Sequence, residues 1–474
     1  MEHDYKKIGL KSGLEIHQQL DTHKLFCNCP SILRTDEPSY EIQRTLNPVV
    51  GETGIVDIAA KHEAEQNKNF TYQVYDTNCL VEIDEEPPHE INQEALKIAL
   101  QIAYLLNCKI FPVAQIMRKT VINGSNTTGF QRTAMIAHDG YIEISTGRIT
   151  IDALMLEEDS ARKVTPSKIN SGSAKQTEDE NSKTYKLDRL GIPLVEITTG
   201  PHMHTPEEIK EAALKIGEIL RACKVKRGIG TIRQDVNISI KGSKRVEIKG
   251  FQDTKMMKKT IDAEISRQQK CVEENSCINE VRNALPDGST EFLRPMPGAA
   301  RMYPETDVPL LEISRDLINE TKKDLPKLAS EHKNYLDEFG LNPELVKLIL
   351  KKNKVENFKV LIQEHNNPNL VAKMLTLFQP EKEIEVDKLE EILEEIEKKI
   401  ISENDVKTIM LKLSNGKSLK QASEKSNINL KEEAEKIIKE KPNLSQGAYM
   451  GLLMGKFKGQ ISGKEIADIL KTIM

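Results

Sequence analysis

The segment GYIEISTGRITIDALMLEED, residues 140–159, alternates apolar and polar side chains and ends in three consecutive acids. Alternation at period two is typical of half-buried β-strands. The same pattern recurs in GLEIHQQL at 13–20, IVDIAA at 55–60 and NCLVEID at 78–84. Two dipeptides between apolar runs, Asn123-Gly124 and Asp139-Gly140, are turn signals. The first part of the chain is therefore predicted to be rich in strands.

Helical patterns interrupt these strands at residues 93–106 and 206–221, the second with Thr205 as a plausible N-cap before Pro206. After Pro309 the pattern becomes helical throughout. The sequence therefore predicts an α+β body with a mixed or antiparallel sheet, followed by an all-α region.

Two compositional shifts mark the organisation of the chain. Every arginine lies at or before Arg315, although lysines continue to the end, which indicates a domain boundary nearby. Residues 165–184 contain almost no apolar side chains and many Ser, Lys and Asn, so they are predicted to form a surface loop without a fold of their own.

Charge and cysteine usage limit the class of protein. The 68 Lys and Arg against 73 Asp and Glu give a net charge of −5, so any nucleic-acid contact must come from local patches. Seven scattered cysteines and no apolar leader-like run predict a reduced, cytoplasmic location. No stretch of roughly 18 apolar residues occurs, so no membrane span is expected.

Three strand-like segments carry hard ligands of the kind that a divalent cation requires. Glu15 and His17 are two apart and share one face of a strand. Glu157 and Glu158 end an apolar strand, and Glu196 lies within an apolar run where an unpartnered carboxylate is costly. Clustered carboxylates favour Mg²⁺. The alternative is that these acids are solvated or form ordinary ion pairs.

Zinc is not expected from the cysteine spacing. Cys27 and Cys29 form one close pair, but a tetrahedral site needs four ligands and no second close pair follows. A pair of small, half-buried thiols is the preferred interpretation. The sequence also lacks a G-x-x-x-x-G-K-[ST] phosphate loop and a G-x-S-x-G nucleophile elbow, so ATP, if used, binds in an unusual fold.

Glycines near the end recur at four-residue spacing, at Gly447, Gly451, Gly455 and Gly459. On a helix they form one stripe, and each costs roughly 1 kcal/mol relative to Ala. Close packing against a neighbouring helix is one explanation. The other is approach to a nucleic-acid backbone, with the ammonium groups of Lys456 and Lys458 on phosphates.

Taken together, several long strings resemble the E-type subunits of Glu-tRNA(Gln) amidotransferase, the archaeal-type relatives of the B-type subunits. They include LKSGLEIHQQLDTHKLFCNCPS, MRKTVINGSNTTGFQRT, LMLEEDSARK, YKLDRLGIPLVEITTGP, VKRGIGTIRQDVNISI, RVEIKG and RPMPGAARMYPETDVP. The resemblance covers nearly all of residues 8–310. The motif variants SNTTGFQRT and PGAARMYPETDVP favour the E type over the B type.

The resemblance implies a domain plan. Residues 1–312 are expected to form the catalytic cradle, 313–402 a helical domain and 403–474 a YqeY-like helical tail. Members of the E type carry an inserted domain similar to one in bacterial aspartyl-tRNA synthetases. Here only a short polar link stands near residues 270–280, so that insert is predicted to be missing.

The resemblance also implies a chemistry. ATP phosphorylates the γ-carboxylate of glutamate on tRNA(Gln), and ammonia then displaces phosphate. His17, Glu158 and Glu196 are the expected Mg²⁺ ligands, with Glu15 and Glu157 close by. The expected nucleotide, phosphate or substrate contacts are Lys119, Asp235, Asn237 and Lys249. Gly451, Gly455, Lys456 and Lys458 are the expected tRNA contacts.

An asparaginase-like D-type subunit is the expected partner and source of ammonia. Two alternatives remain at this stage. The chain could be a B-type subunit with amidase partners, or a tRNA-binding protein that has lost catalysis.

Overall fold

The computed structural model describes residues 3–51, 54–164, 182–251, 254–423, 430–442, 444–457 and 463–473. Contacts divide the chain into two compact units, residues 1–326 and 327–474. The first unit is a mixed α/β body and the second is helical. The strands are β1 Lys11–Gln19, β2 Tyr40–Thr45, β3 Asn69–Val74, β4 Lys109–Ile110, β5 Val113–Ala114, β6 Ile116–Thr120, β7 Phe130–Ile144, β8 Gly147–Glu158, β9 Arg162–Lys163, β10 Ser182–Lys186, β11 Pro193–Thr199, β12 Ile232–Ser239, β13 Val246–Phe251, β14 Glu280–Ala284, β15 Thr290–Pro295, β16 Met302–Pro304 and β17 Leu311–Glu312.

Six helices belong to the described part of the first unit and ten to that of the second. Those of the first unit are α1 Tyr5–Ile8, α2 Ile58–Ala64, α3 Gln93–Leu105, α4 Pro206–Ala222, α5 Thr254–Glu273 and α6 Arg315–Lys323. Those of the second unit are α7 Ala329–Glu338, α8 Pro343–Lys351, α9 Val355–Glu364, α10 Pro368–Leu375, α11 Val386–Glu397, α12 Val406–Ser414, α13 Leu419–Ser423, α14 Leu430–Glu440, α15 Gln446–Lys456 and α16 Gly463–Ile473.

One large sheet organises the first unit. Its strands follow the order β15-β14-β13-β12-β1-β11-β8-β7-β6-β16, with β4 paired to β7. All neighbours are antiparallel except β13 and β14, which run parallel because helix α5 crosses between them. Helices α3, α4 and α5 pack against this sheet. The predicted α+β body with a mixed sheet is confirmed.

The central strand β1 shows how the sequence builds two different faces. Leu14 and Ile16 are fully buried, whereas the alternate residues Glu15 and His17 are only partly buried. Successive side chains on a strand point to opposite sides. The apolar side chains therefore anchor the core, and the polar ones face a cavity described below.

Both predicted helices of the body are present. Helix α4 begins after Thr205, whose side chain accepts from the Glu208 N–H while the Glu208 side chain bonds back to the cap. This capping box fixes the start of the helix. Helix α3 spans almost the predicted range and buries one apolar face.

Two strand predictions and one turn prediction are wrong. IVDIAA contains the start of helix α2, because the Asp57 side chain caps the Ala60 N–H. NCLVEID forms turns after β3. Asp139-Gly140 lies within the long strand β7, and the hairpin turns instead between Ile144 and Gly147.

The predicted unstructured loop needs one correction. Residues 165–181 lie outside the described residues, but Ser182–Lys186 forms β10, which pairs in parallel with β3. This strand belongs to a second sheet of order β2-β3-β10-β9. Among the described residues, no helix is long and apolar enough to cross a membrane.

The boundary between the units follows Pro326 rather than residue 312. Helix α6 belongs to the body because the Lys97 ammonium on α3 binds Glu320 and Asp324. In the helical unit, one apolar core runs from Leu336 to Ala422 and a second from Leu430 to Leu470. The first core therefore extends past residue 402. A YqeY-like identity for the tail stays a prediction.

Candidate functional site

A cavity of about 460 Å³ opens on the polar side of the large sheet. Most of its lining side chains are charged and come from strands that are distant in sequence. They include Glu15 and His17 of β1, Lys119 of β6, Glu157 of β8, Glu196 of β11, Asp235 of β12, Glu247 and Lys249 of β13, Arg294 of β15, and Arg301.

Glu15, His17 and Glu196 form a group that could hold a metal ion. Antiparallel pairing of β1 with β11 sets His17 directly opposite Glu196. The His17 Nε2 atom lies 3.2 Å from Glu196 Oε2 and 3.4 Å from Glu15 Oε1. One ligand atom from each residue lies within 4.8 Å of the others. Strand pairing therefore brings two carboxylates and one imidazole to a single point.

Burial and mutual charge perturb the pKa values of this group. Burial raises the pKa of the Glu15 carboxyl to about 7, and the Glu196 charge adds to the effect. Burial alone disfavours charge on His17, but the Glu196 hydrogen bond and the acidic neighbours raise its pKa above the ordinary value. Burial also opposes ionisation of Glu196, but Lys119 and His17 hold its pKa well below the usual range. Glu196 is thus a carboxylate at neutral pH.

Lys119 and Glu157 extend the group along the sheet. The Lys119 ammonium donates to Glu157 Oε2 at 2.6 Å and to Glu196 Oε2 at 3.1 Å. Gln131 donates to the second Glu157 oxygen at 2.9 Å. Burial disfavours the Lys119 charge, yet the two carboxylates raise the pKa of Lys119 overall. A buried cation therefore stands beside the potential metal ligands.

Glu158 does not lie with the other two predicted metal ligands. It follows Glu157 on strand β8, so its side chain points to the opposite face. Its carboxylate accepts from the Arg132 backbone N–H at 3.1 Å and lies 3.5 Å from the Arg132 guanidinium. The structure places Glu15, rather than Glu158, beside His17 and Glu196.

The predicted phosphate or substrate contacts divide into two groups. Asp235 and Lys249 line the cavity, where the Lys249 ammonium donates to Asp235 Oδ2 at 2.6 Å and also binds Glu247. Asp235 and Glu247 form with Glu15 a second group of possible metal ligands. Asn237 lies two residues further along β12 and does not line the cavity.

Several lining residues were not predicted. Glu247 stands two residues before Lys249 in RVEIKG, and this same-face spacing is a signal that could have identified it. Arg294 and Arg301 come from the RPMPGAAR stretch, in which no spacing rule indicates a site. Within the part of the chain that the structure describes, neither arginine forms an ion pair with a carboxylate. Their positive charges therefore remain available to an anion.

The predicted tRNA contacts lie in the helical unit. A Cβ atom placed on Gly447, Gly451 or Gly455 would meet no atom of the described residues within 4 Å, so close packing against the described helices does not explain these glycines. The Lys456 ammonium donates to Glu433 at 2.6 Å. Lys458 and Gly459 lie outside the described residues.

A family model described as the GatB/GatE catalytic domain matches residues 10–319. The chain is 37% identical to the E-type glutamyl-tRNA(Gln) amidotransferase subunit of Methanocaldococcus jannaschii, over 99% of each chain. It is 33% identical to proteins of the same name from Methanothermobacter thermautotrophicus, over 92% of each chain, and Archaeoglobus fulgidus, over 99% of this chain and 98% of the relative. The first alignment runs over 637 residues, although this chain has only 474, so the relative carries segments that this chain lacks.

Proposed function

The chain belongs to the GatB/GatE catalytic domain family, and from this premise we propose that it activates the glutamyl carboxylate of mischarged Glu-tRNA(Gln) for amidation. Its relatives are named as E-type amidotransferase subunits, which makes this chain part of a transamidase. The ATP dependence, the metal ion and the ammonia source proposed below go beyond that name.

Activation is required because a carboxylate has no leaving group that ammonia could displace. Transfer of the ATP γ-phosphoryl group to a γ-carboxylate oxygen gives an acyl phosphate and ADP. Ammonia then attacks the acyl carbon, phosphate leaves and a proton is released. Phosphoryl transfer requires positioning and neutralisation of charge more than covalent participation by the protein.

The donor set of the cavity fits a Mg²⁺ ion. Glu15, His17 and Glu196 would hold it, since they supply two carboxylates and one imidazole within 4.8 Å of one another. When bound, the ion would neutralise phosphate charge and orient the transferred group. Glu196 is already ionised at neutral pH because of Lys119 and His17, so it needs no prior loss of a proton.

Cations of the cavity are proposed to contact the phosphates and the substrate carboxylate. Lys119 donates to Glu196, and Lys249 donates to Asp235, which is grouped with Glu15. Arg294 and Arg301 can each present a planar fork to phosphate oxygens. This placement supports a binding mode for ATP that does not use a phosphate loop.

We propose that the face of helix α15 that carries the glycines contacts the tRNA. Gly451 and Gly455 leave the helix backbone uncovered, and Lys456 and Lys458 are the cations nearest to them in sequence. For ammonia we propose an asparaginase-like D-type partner, because the relatives are named as one component of a larger enzyme.

The observation that carries the proposal is the convergence of Glu15, His17, Glu196 and Lys119 in one cavity. To test it, the chain with its D-type partner is incubated with γ-labelled ATP, Mg²⁺ and Glu-tRNA(Gln). We expect phosphate release that requires charged tRNA and is lost in His17→Ala and Glu196→Gln. The matched control is Glu143→Gln, an exposed carboxylate on β7 that pairs with Arg148.

Two outcomes would contradict the proposal. Strong tRNA binding without phosphate release, with the partner present, indicates a binding protein that has lost catalysis. Release only with an amidase-type partner indicates a B-type subunit.

A further inference from the structure

A short loop of the body projects an isoleucine into solvent. The loop consists of residues 226–231 and leads from the end of helix α4 into strand β12. Ile229 at its tip is 100% exposed. Single exposed apolar side chains are common on protein surfaces, so the surroundings of this one decide whether it has a partner.

The base of the loop is fixed to the end of strand β1. The Lys226 N–H donates to the Gln19 carbonyl at 3.0 Å, and the Gln19 N–H donates to the Thr231 carbonyl at 3.0 Å. The amide of the buried Gln18 donates to the carbonyls at both ends of the loop, those of Lys226 at 3.0 Å and Thr231 at 3.2 Å. Ile229 therefore stands on a base that several hydrogen bonds hold in place.

The tip exposes main chain as well as a side chain. Gly228 and Gly230 flank Ile229, with φ angles of +125° and +83° that other residues rarely adopt. A Cβ atom on either glycine would meet no atom of the described residues within 4 Å. A ligand can therefore approach the backbone closely on both sides of the isoleucine.

Positive charge surrounds this tip. Residues 221–234 contain no acidic residue and five cationic ones, namely Arg221, Lys224, Lys226, Arg227 and Arg233. Lys224 pairs with Glu94 and Arg233 pairs with Asp159, both outside the loop. The exposed Arg227 guanidinium forms no ion pair with the carboxylates of the described residues, and one of its N–H groups donates to a main-chain carbonyl of α4. Its charge is therefore available to an anionic partner.

The loop leads directly to the cavity of the proposed reaction. Arg233 and Asp235, which follow the loop on β12, both line that cavity. Four residues separate Ile229 from Arg233, so their Cα atoms are at most about 14 Å apart. A glutamyl group that enters the cavity is attached to the last nucleotide of its tRNA. That nucleotide and its neighbours are thereby brought close to the loop.

We propose that residues 226–231 bind the single-stranded 3′ end of the substrate tRNA, an inference that rests on the proposed function. Ile229 packs on the face of an unstacked base, and Arg227 contacts a phosphate. Unstacked bases present flat faces to protein side chains, and isoleucine is among the side chains that proteins insert against base steps. Guanidinium groups bind phosphate oxygens well. An RNA strand supplies an anionic group at every nucleotide with a base beside it, which matches a cation next to an apolar tip.

The test measures the affinity of the full-length chain for tRNA(Gln) in two forms, intact and lacking the unpaired nucleotides of the 3′ end. We expect Ile229→Ser to weaken binding of the intact tRNA about tenfold, as for the loss of one partly buried isoleucine side chain. Binding of the shortened tRNA should not change. The matched control is Ile278→Ser, because Ile278 is a 59% exposed isoleucine in the connection after α5. It should bind both forms as the wild type does.

Two further measurements separate the base contact from the phosphate contact. A fluorescent adenine analogue at the end of the tRNA should change its emission on binding to the wild type and not on binding to Ile229→Ser. Arg227→Gln should lower the salt dependence of binding by about one in the slope of log Kd against log salt. Lys109→Gln, which removes an exposed cation on β4, should leave that slope unchanged.

Equal affinity of the wild type and Ile229→Ser for intact tRNA would overturn the inference, and so would an equal loss with both forms of tRNA. Weaker binding of the D-type partner by Ile229→Ser, with unchanged tRNA affinity, would assign the loop to a protein interface instead. Binding is measured without ATP, so the result does not depend on phosphoryl transfer. A chain that binds intact tRNA through Ile229 but releases no phosphate would support the loop contact and contradict the proposed function.

Discussion

Lys119 illustrates how a single side chain can set the charge state of a site. Its ammonium is buried between Glu157 and Glu196, and both carboxylates accept hydrogen bonds from it. Removing one partner of a buried ion pair leaves an uncompensated charge. The arrangement therefore keeps Glu196 ionised before any metal ion or substrate arrives.

Glu15 belongs to the group of possible metal ligands, whereas Glu158 points to the other face of the sheet. Glu15→Gln should lower the affinity for Mg²⁺ on the order of tenfold or more, the loss that accompanies removal of even an outer partner of a metal ligand. Glu158→Gln should leave Mg²⁺ affinity nearly unchanged, because its carboxylate binds Arg132 on the other face. It should instead lower the free energy of unfolding by roughly 1–3 kcal/mol.

Isothermal titration with Mg²⁺ and urea denaturation check the two effects separately. Loss of Mg²⁺ binding in Glu158→Gln, but not in Glu15→Gln, would contradict this prediction. It would favour His17, Glu158 and Glu196, the ligand set that the resemblance implies.

Most ligand types at this site could be predicted, but their grouping could not. His17 and Glu196 stand out in sequence because they interrupt apolar strands. Which of Glu157 and Glu158 faces the cavity depends on the strand register and on the face that the helices cover. Cys79 could not be linked to Cys27, because their proximity depends on how two loops without regular structure meet.

At the scale of elements, helix α15 exposes its glycine stripe without a packing partner in the described part of the chain. Because a Cβ atom has open space at Gly451 and Gly455, Ala at either position should stabilise the helix. We expect a gain of roughly 0.5–1 kcal/mol for each substitution in thermal unfolding. We also expect weaker tRNA binding in a filter assay, since the added methyl groups would hold the phosphate backbone away.

Ala448→Gly in the same helix serves as the control, with lower stability and unchanged tRNA affinity expected. Stabilised alanine variants that bind tRNA as well as the wild type would exclude the stripe as a contact surface.

Local signals located the two predicted helices α3 and α4 accurately, whereas two of the predicted strands are wrong. The capping box at Thr205 is local, so α4 was found at its correct start. IVDIAA alternates like a strand, but the Asp57 cap outweighs that pattern. Gly140 resembles a turn residue, yet it is required inside β7, where a Cβ atom would lie only 2.3 Å from Cys108 Sγ. This close approach depends on the tertiary structure, so a local sequence pattern cannot reveal it.

At the scale of the whole molecule, the composition change near Arg315 and the structural boundary after Pro326 differ for a physical reason. The boundary depends on contacts, and the ion pairs of Lys97 retain helix α6 in the body. Composition alone does not determine which segments pack together. The composition therefore indicated that two units exist, but not where one ends.

The stability of the body should depend on pH through Glu305. This buried carboxylate binds Arg118 and, at 2.8 Å, Arg132, so it joins the segment after β16 to β6 and β7. Burial opposes its ionisation, but the two arginines and the Asp307 N–H lower the pKa of Glu305 to about 2. A lowered pKa stabilises the folded state above the ordinary value of 4.5. The contribution, on the order of 3 kcal/mol, should be lost as the pH falls from there towards 2.

Denaturation of the wild type and Glu305→Gln across this range provides the measurement. The difference in free energy of unfolding should shrink as the pH falls. The variant should fold, since Arg118 keeps Asp307 and Arg132 keeps Glu158. A difference that is constant with pH would show that Glu305 does not titrate as proposed.

The short connection between α5 and β14 has a consequence for protein engineering. The Cα atoms of Cys271, in the last turn of α5, and Cys277, within the connection, are only 5.2 Å apart, so the chain turns back on itself here. A loop whose ends nearly meet can be lengthened at little entropic cost. Parallel pairing of β13 with β14 does not depend on what fills the gap, since α5 already makes the crossover. We therefore expect this position to accept a fused reporter or binding module with closely spaced termini, giving a chimera whose sheet register is unchanged.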